Sequence, residues 1–300
     1  MVNDSNPSYR AGRVAIVGRP NVGKSTLLNR LVGCKLSITS RKPQTTRARI
    51  IGIVSTADAQ IVLVDTPGFQ TQHRNALNRM MNRAVAGSIE GVDAVLWVIE
   101  ALRYDERDRA IRALLPHGTP LVLAINKIDR VRRKDDLLPF IAQLGKECDA
   151  AAIVPVSAAD GTQVNELTAA LTPLLPESPP LFDADEITRN SERFLAAELI
   201  REKIFRLTGD ELPYAATVQI EAFKLDGELR RIHAVIVVSK DSHKAMLIGK
   251  GGGRLKNIAT QARLDMEELF GGRVYLDVWV KVRRGWADDE RFIADMQGDI

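Results

Sequence analysis

Short apolar runs alternate with stretches of helical periodicity over the first half of the chain. The runs RVAIVG, IVLVD, AVLWVIE, LVLAIN and AAIVPVS are almost entirely apolar, and amphipathic stretches lie between them. Strands that are apolar on both faces are typical of a mostly parallel sheet with helices on both sides. The pattern predicts a doubly wound α/β domain over residues 12–175, with ligands bound beyond the carboxyl ends of its strands.

A proline-rich segment follows this domain. Residues 172–188 contain four prolines, several acids and no glycine, a composition that neither continues a helix nor packs a core. We therefore expect an interdomain linker over residues 176–190.

The pattern after the linker differs from that of the first domain. The predicted elements are a helix over 191–207, strands near 214–224 and 230–239 with an Asp226-Gly227 turn, two helices around a glycine cluster, and a strand near 274–282. Their order, α-β-β-α-α-β, predicts a second domain of α+β class over residues 191–300.

Length and charge are consistent with this division. A chain of 300 residues exceeds what one hydrophobic core usually spans, so two domains are expected. Its 42 Lys and Arg against 38 Asp and Glu give a formal charge of +4. This slight excess permits a nucleic-acid partner without requiring one.

Cysteine usage and the N-terminal segment indicate a cytoplasmic protein. Cys34 and Cys148 lie far apart with no CxxC spacing or His cluster, which suggests neither a disulfide framework nor a zinc site. Residues 1–11 are polar and lack the apolar core of a secretory signal, so we interpret them as a disordered leader. No run of eighteen apolar residues occurs, so the sequence predicts no membrane-spanning helix.

Residues 18–25, GRPNVGKS, match the phosphate-binding pattern GxxxxGK[ST] between a predicted strand and the helix STLLNRLV. Glycines let the backbone curl so that its N–H groups face a phosphate at the helix N-terminus. Lys24 is expected to neutralise the β and γ phosphates, and the Ser25 hydroxyl to bind Mg²⁺. The predicted nucleotide contacts here are Gly18, Arg19, Pro20, Asn21, Val22, Gly23, Lys24, Ser25 and Thr26.

A DxxG tetrad follows the run IVLV. A DxxG tetrad alone is more often an ordinary turn, but its position one strand after the phosphate loop makes it informative. We expect Asp65 to hold Mg²⁺ through water and the Gly68 N–H to meet the γ-phosphate. The predicted nucleotide contacts in this segment are Asp65, Thr66, Pro67, Gly68 and Phe69.

The tetrad Asn126-Lys127-Ile128-Asp129 follows the run LVLAI. The Asp129 carboxylate can accept from both N1–H and the exocyclic amine of guanine, whereas adenine offers no such donor pair. Asn126 would support the loop and the purine edge, and the Lys127 stem would pack on the base. At this motif the sequence resembles the translation-factor-related GTPases, in which NKxD recognises guanine.

Two further segments follow from that resemblance. Ser157-Ala158 is similar to the remaining guanine loop, with the Ala158 N–H facing the base O6. The loop over 40–49 lies where these GTPases have switch I, and Thr46 is its expected ligand to Mg²⁺ and the γ-phosphate, with Thr45 as the alternative. The predicted catalytic residues are Lys24, Thr46, Asp65 and Gly68.

Phe69 stands where Ras-like proteins have a water-orienting glutamine. An apolar ring cannot orient water, so unaided turnover should be slow, and a monovalent cation, a backbone group or a partner must supply the missing function. Asn21 occupies the position that ligates K⁺ in similar potassium-dependent GTPases. The hypothesis is a K⁺ site at Asn21; the alternative is that Asn21 only shapes the loop.

A GxxG motif, Gly249 to Gly252, lies between two predicted helices of the second domain. A bare GxxG occurs about once or twice by chance in a chain of this length, so the helical context carries the inference. KH domains join two helices by such a loop, where glycines admit RNA phosphates to the backbone. The predicted RNA contacts are Lys244, Ile248, Gly249, Lys250, Gly251, Gly252, Arg254 and Lys256.

The motifs NVGKS, KPQTTR, DTPGF and NKID, followed by a type II KH order and the ending VKVRRGWADDE, resemble the Era family of bacterial ribosome-assembly GTPases. The resemblance implies hydrolysis of GTP to GDP and phosphate with Mg²⁺. It also implies binding to the 3′ end of small-subunit (16S) ribosomal RNA in the GTP form, a role in 30S subunit biogenesis, and peripheral contact with the inner membrane. A monomer is expected.

Two other interpretations stay open from the residues. One is an RNA-binding adaptor that binds GTP but scarcely hydrolyses it, because Phe69 removes the usual catalytic aid. The other is a GTPase of RNA modification, although Cys34 and Cys148 do not fit the redox or metal chemistry that such reactions often need.

Overall fold

The computed structural model describes residues 9–40, 42, 45–67, 76–77, 79, 81, 87 and 89–297. The chain divides into two compact units. The first contains the described residues of segments 1–37, 46–71 and 81–189, and the second those of segments 38–45, 72–80 and 190–300. In the described part of the chain, no helix has the length and apolarity needed to cross a bilayer.

The first unit contains a mostly parallel sheet. Its strands are β1 (Arg10–Val17), β2 (Ile50–Ser55), β3 (Ala59–Asp65), β4 (Ala94–Glu100), β5 (Leu121–Asn126) and β6 (Ala152–Pro155). Their order in space is β2-β3-β1-β4-β5-β6, and only β2 runs antiparallel to its neighbour. The predicted α/β class is therefore confirmed, with β2 as a strand that the sequence analysis did not predict.

Helices cover this sheet, as the buried strands require. They are α1 (Lys24–Val32), α2 (Glu106–Arg112), α3 (Leu137–Glu147) and α4 (Val164–Leu171). The central strand β4 has every residue from Ala94 to Ile99 buried, with Trp97 0% exposed. A polar residue within such a strand would lose its water. Asp65 and Asn126 accordingly stand at the carboxyl ends of β3 and β5.

The N-terminal boundary differs from the prediction. Arg10 and Ala11, which we expected in a disordered leader, belong to β1. Ala11 is only 1% exposed, and its N–H donates to Pro176 O at 3.1 Å. Two hydrogen-bonded neighbours order these residues despite their polar context; residues 1–8 lie outside the described residues.

The segment predicted as a linker is hydrogen-bonded to the first unit. The Ile53 N–H of β2 donates to Ile187 O at 2.9 Å. The buried Gln60 side chain accepts from Leu181 N at 2.8 Å and Phe182 N at 2.9 Å, and donates to Phe182 O at 2.9 Å. Backbone pairing requires no helix and no apolar run, so composition alone did not indicate it.

The second unit has the predicted α-β-β-α-α-β order, with additions. Its elements are α5 (Glu192–Leu207), the short α6 (Leu212–Ala215), β7 (Ala216–Asp226), β8 (Leu229–Val238), α7 (Asp241–Ile248), α8 (Gly253–Phe270), β9 (Val274–Val282) and α9 (Glu290–Gln297). Strand β8 pairs antiparallel with β7 and parallel with β9. Neither α6 nor α9 was predicted from the sequence.

One face of α8 forms the centre of this unit's core. Ile258, Ala262 and Met266 are 0% exposed, as are Ile232 and Ile236 of β8 in the same cluster. The spacing of four residues along α8 puts these side chains on one stripe of the helix.

Residues of α5 and the residue that follows it contact Thr39, Lys42 and Thr45, at the start of the segment that the sequence analysis assigned to switch I. Glu202, 0% exposed, accepts from the Thr39 N–H at 3.2 Å. The Lys42 ammonium donates to Thr208 O at 2.6 Å, and the Arg201 guanidinium donates to Thr45 O. These contacts explain why residues 38–45 are grouped with the second unit.

Candidate functional site

The loop after β1 has a backbone that only glycine allows at two positions. Gly18 has φ 152° and Gly23 has φ 105°. A Cβ at Gly18 would lie 2.3 Å from Val98 O, and one at Gly23 would lie 2.2 Å from Asn126 Nδ2. Both glycines are therefore required for the close packing that curls this loop into the N-terminus of α1.

Lys24 is buried at the first position of α1. Its side chain donates to Gly18 O at 2.8 Å and to Arg19 O at 2.9 Å. Burial lowers its pKa to about 8, and the carboxylate of Asp65 partly opposes this shift. A phosphate group would give this ammonium the negative partner that burial makes favourable.

Three hydroxyl groups surround the Asp65 carboxylate at the end of β3. Asp65 Oδ2 accepts from Ser25 Oγ at 2.8 Å, from Ser37 Oγ at 2.9 Å and from Thr46 Oγ1 at 3.4 Å. The hydroxyls of Ser25 and Thr46 are 3.0 Å apart. The structure thus brings together the predicted residues Ser25, Thr46 and Asp65, and adds Ser37, which belongs to none of the sequence motifs.

This oxygen cluster has the chemistry of a magnesium site. Asp65 is 0% exposed, and its Oδ1 has no hydrogen-bond partner among the described residues. Burial raises the pKa of Asp65, while Lys24 and the hydroxyl groups oppose that rise. Mg²⁺ takes carboxylate, hydroxyl and water oxygens, so the residues present fit this ion.

The geometry also separates the two switch I candidates. Thr46 is 5% exposed with its hydroxyl at Ser25 and Asp65. Thr45 has its carbonyl oxygen bound by Arg201 in the second unit. Of these two residues, Thr46 is the one that the structure brings to the oxygen cluster.

The residues predicted to recognise guanine lie together at the ends of β5 and β6. Asn126 Nδ2 donates to Val22 O at 2.8 Å, and Asn126 Oδ1 accepts from Ala158 N at 3.0 Å. Ser157 Oγ donates to Asp129 Oδ1 at 2.9 Å. The Asn126 amide therefore joins the phosphate loop to the loop after β6. The Ser157 hydroxyl fixes the Asp129 carboxylate.

The Ala158 N–H, expected to face the guanine O6, is engaged by Asn126 in this structure. Arg30 of α1 holds the same loop from the other side, since it donates to Ala158 O at 3.3 Å and to Ala159 O at 2.5 Å. Lys127, with φ 67°, pairs with Glu100 Oε2 at 2.9 Å. Arg30 and Glu100 were missed because each lies far in sequence from the residue that it contacts.

The remaining predicted nucleotide contacts differ in orientation. The Arg19 guanidinium is buried against two aspartates, so its backbone alone lines the loop. Asn21 is exposed with φ 65°, Val22 is 1% exposed, and the Thr66 hydroxyl donates to Ile16 O at 2.9 Å. Pro20, Thr26 and Pro67 flank these residues, whereas Gly68 and Phe69 lie outside the described residues.

The glycine cluster of the second unit forms the turn between α7 and α8. Gly249 has φ 71° and ψ 179°, and its Cβ would lie 2.8 Å from Arg254 Cβ. Gly251 has φ 59° with open space around it. The backbone is therefore open to solvent at the tip of the turn and tightly packed at its base.

The predicted RNA contacts surround this turn to different degrees. Lys250 and Lys256 are exposed, and Lys244 is half-buried. Ile248 packs against the core, and the Arg254 guanidinium donates to Met246 O at 2.5 Å. Gly252 continues the turn with φ 76°.

Comparison with known proteins agrees with this geometry. The family model described as 50S ribosome-binding GTPase matches residues 13–127, and a KH domain model matches residues 211–287. The fold and site define a P-loop GTPase with a C-terminal KH domain, which hydrolyses GTP.

Whole-chain relatives identify the family. The chain is 55% identical to GTPase Era of Nitrosomonas eutropha over 95% of its length and 96% of the relative. It is 53% identical to GTPase Era of Chromobacterium violaceum over 96% of its length and 97% of the relative. The chain belongs to the Era family.

Solved structures agree at the level of the whole fold. A variant of Aquifex aeolicus Era bound to GDP and AlF4⁻ has a TM-score of 0.92 and 38% identity, covering 96% of this chain and 98% of that one. An Era complex with MgGDPNP and nucleotides 1506–1542 of 16S ribosomal RNA gives the same TM-score, identity and coverage.

Proposed function

We propose that this chain couples GTP hydrolysis to binding of the 3′ end of 16S ribosomal RNA and acts in 30S subunit biogenesis. The observation that carries the proposal is the buried oxygen cluster at Asp65 beside the Lys24 ammonium. The RNA partner is supported by the Era structure that contains MgGDPNP and 16S nucleotides. That structure is similar to this chain over nearly its whole length.

The nucleotide part of the proposal assigns the cluster to Mg²⁺. Ser25 and Thr46 would bind the ion directly, and Asp65 through water. The bound ion neutralises charge on the β and γ phosphates. Lys24 exchanges its carbonyl partners for phosphate oxygens, and the curled backbone around Gly18 and Gly23 directs N–H groups toward them.

Selectivity for guanine would come from Asp129. Ser157 fixes the orientation of its carboxylate, which then accepts from the two donors on the guanine edge. The bound base would compete with Asn126 for the Ala158 N–H or share it.

Hydrolysis needs a group that Phe69 cannot supply, and we propose K⁺ held at Asn21. The Asn21 backbone, with φ 65°, lies in a region that Gly also adopts freely. We expect faster GTP turnover in potassium than in sodium for the wild type, and equal turnover in both salts for Asn21→Gly. Equal turnover of the wild type in both salts contradicts the K⁺ site.

The RNA part assigns the turn between α7 and α8 to the sugar-phosphate backbone. The exposed tip at Lys250 and Gly251 lets phosphates approach N–H groups, and Lys244, Lys256 and Lys250 supply positive charge. We also propose that the protein is a monomer located in the cytoplasm, with peripheral contact to the inner membrane. The resemblance to the Era family supports this part of the proposal.

Crosslinking to the 3′ end of 16S ribosomal RNA tests the RNA assignment. Wild type and the Lys250→Glu variant are compared with Lys146→Glu, an exposed lysine of α3 in the first unit. We expect crosslinks with the GTP analogue for wild type and Lys146→Glu, and their loss for Lys250→Glu. Equal crosslinking by all three proteins would refute the assignment of this turn.

A further inference from the structure

Arg19 of the phosphate loop points out of the loop into two carboxylates. Its Nη1 lies 2.9 Å from Asp105 Oδ2, and its Nε lies 2.8 Å from Asp108 Oδ1. The Arg19 side chain is 7% exposed and that of Asp108 is 0% exposed. We name Asp105 and Asp108 the acidic clasp.

The acidic clasp is itself held rigidly at the start of α2. Asp105 Oδ1 accepts from Arg107 N at 2.9 Å. The Asp105 N–H in turn donates to Asp108 Oδ2 at 3.1 Å. Asp108 therefore uses Oδ2 for the helix cap and Oδ1 for Arg19. Asp105 Oδ2 is shared between Arg19 and the exposed Arg107 guanidinium.

Burial makes this pairing obligatory. A buried carboxylate without a partner is strongly unfavourable, and burial raises the pKa of Asp108 while Arg19 opposes that rise. The charge of Arg19 is therefore committed to the acidic clasp, which leaves it unsuited to neutralise a phosphate directly.

The backbone of the same residue contacts the Lys24 side chain. Arg19 O accepts from Lys24 Nζ at 2.9 Å, next to Gly18 O at 2.8 Å. A displacement of the Arg19 side chain would thus move the carbonyl that orients Lys24 and the N–H groups that follow it in the loop.

We propose that Arg19 is a positioning residue for the β-phosphate: its anchorage in the acidic clasp fixes the phosphate loop and thereby sets how tightly diphosphates are held and how slowly they leave. This inference rests on the proposed function, in which this loop binds GTP and GDP. It assigns to α2 a role in nucleotide release.

The test compares GDP with GMP, which lacks the β-phosphate, on the full chain. For Arg19→Met we expect GDP affinity to fall and GDP dissociation to accelerate by roughly 10- to 100-fold, the factor that the loss of one hydrogen bond to a charged phosphate corresponds to. GMP affinity, measured by competition with fluorescent GDP, should change by less than about twofold.

The matched control is Arg107→Met, which removes another arginine paired with Asp105, at 2.8 Å, but 67% exposed. Its GDP affinity should equal that of the wild type. Unchanged GDP affinity in Arg19→Met, or equal weakening of GDP and GMP, would overturn the proposal. A wild type that fails to bind GDP would instead contradict the proposed function.

Two milder variants carry the test if Arg19→Met does not fold. Arg19→Lys keeps one charge for Asp108, and Asp105→Asn keeps a capping side chain while removing one carboxylate. Both should weaken GDP binding in part and leave GMP binding unchanged. Wild-type GDP affinity in both variants would overturn the proposal.

Discussion

Asp129 has its carboxylate oriented before any base arrives. Ser157 Oγ donates to one of its oxygens at 2.9 Å, and the side chain is 28% exposed. A carboxylate fixed at the edge of a pocket accepts hydrogen bonds without a further loss of rotamer freedom. We therefore expect guanine selectivity to depend on this one residue more than on its neighbours.

Replacing this carboxylate should change the preferred base. We expect Asp129→Asn to weaken GTP binding at least about 100-fold, because hydrogen bonds to a charged group contribute about 1.5–3 kcal/mol each. Xanthosine triphosphate, which carries an acceptor where guanine has its amine, should gain affinity. Competition binding measures both, with the exposed Asp135→Asn as control. Unchanged guanine selectivity would contradict this role.

Lys24 should make nucleotide affinity depend on pH. Its pKa is about 8 in the nucleotide-free pocket, so the ammonium loses its proton as the pH rises through 8. Phosphate binds the charged form, and binding above that pH must take up a proton. Affinity for GTP should be nearly flat below pH 8 and fall by up to about tenfold per pH unit above it.

The comparison protein is Lys24→Arg, which stays charged throughout this range. At each pH we take the ratio of the wild-type GTP affinity to that of the variant. Ionisation of the guanine base affects both proteins equally, so its effect on affinity cancels in this ratio. Titration of a fluorescent GTP analogue gives the ratio. Parallel pH profiles of the two proteins would contradict a depressed pKa at Lys24.

At the scale of elements, the turn between α7 and α8 has two glycines with different requirements. Gly249 adopts φ 71° and ψ 179°, a conformation essentially restricted to glycine. Gly251 adopts φ 59° and ψ 24°, which other residues can reach at a cost of about 1–2 kcal/mol. The base of the turn is thus the more constrained part.

Alanine substitutions at Gly249 and Gly251 test which of the two positions has the stricter requirement for glycine. We expect Gly249→Ala to lower the free energy of unfolding by about 1–3 kcal/mol and to weaken RNA binding, because its Cβ would lie 2.8 Å from Arg254 Cβ. Gly251→Ala should cost less. Urea unfolding and RNA titration compare the two variants; equal losses of stability would contradict the stricter requirement for glycine at position 249.

Most elements could be predicted because the sequence pattern is local. Strands such as β4 are apolar throughout, and α8 carries its stripe at helical spacing. Strand β2 was not predicted although IIGIV is apolar, because it is a short strand at the margin of the sheet whose antiparallel pairing with β3 is made by backbone groups. Backbone pairing of this kind leaves no mark on the side-chain pattern of the strand itself.

The residues of the candidate site also divide into those that a local sequence motif predicts and those that no local pattern indicates. Lys24, Ser25, Asp65 and Asn126 follow strand ends at motif spacings, so their proximity was predictable; the roles we give them stay predictions. Ser37, Arg30 and the acidic clasp could not be found in this way. Their partners lie as far as 129 positions away, and a lone serine or arginine has many possible environments.

At the scale of the whole molecule, binding of GTP and of RNA should be linked. If RNA binds the GTP form more tightly than the GDP form, a GTP analogue must bind more tightly in the presence of RNA by the same factor, because linkage is reciprocal. Typical coupling corresponds to about 5- to 150-fold. Calorimetry with a 16S fragment measures both factors independently.

Two outcomes would be decisive for that coupling. Equal RNA affinity with GDP and with the GTP analogue contradicts it outright. The GTP analogue should change RNA affinity by the same factor by which RNA changes affinity for the analogue. Unequal factors would mean that the two titrations do not measure the same states of the protein. Lys146→Glu should leave both factors unchanged, whereas Lys250→Glu should abolish RNA binding in either nucleotide form.

The hydrogen bonds along β2 bear on how the first unit can be isolated. Strand β2 lies at the margin of its sheet, and residues 181–188 satisfy polar groups of Ile51, Ile53 and Gln60. A fragment ended at residue 175 would leave an unprotected strand edge that can recruit other copies and precipitate. A cut after Arg189 keeps that edge covered and should yield the better-behaved fragment.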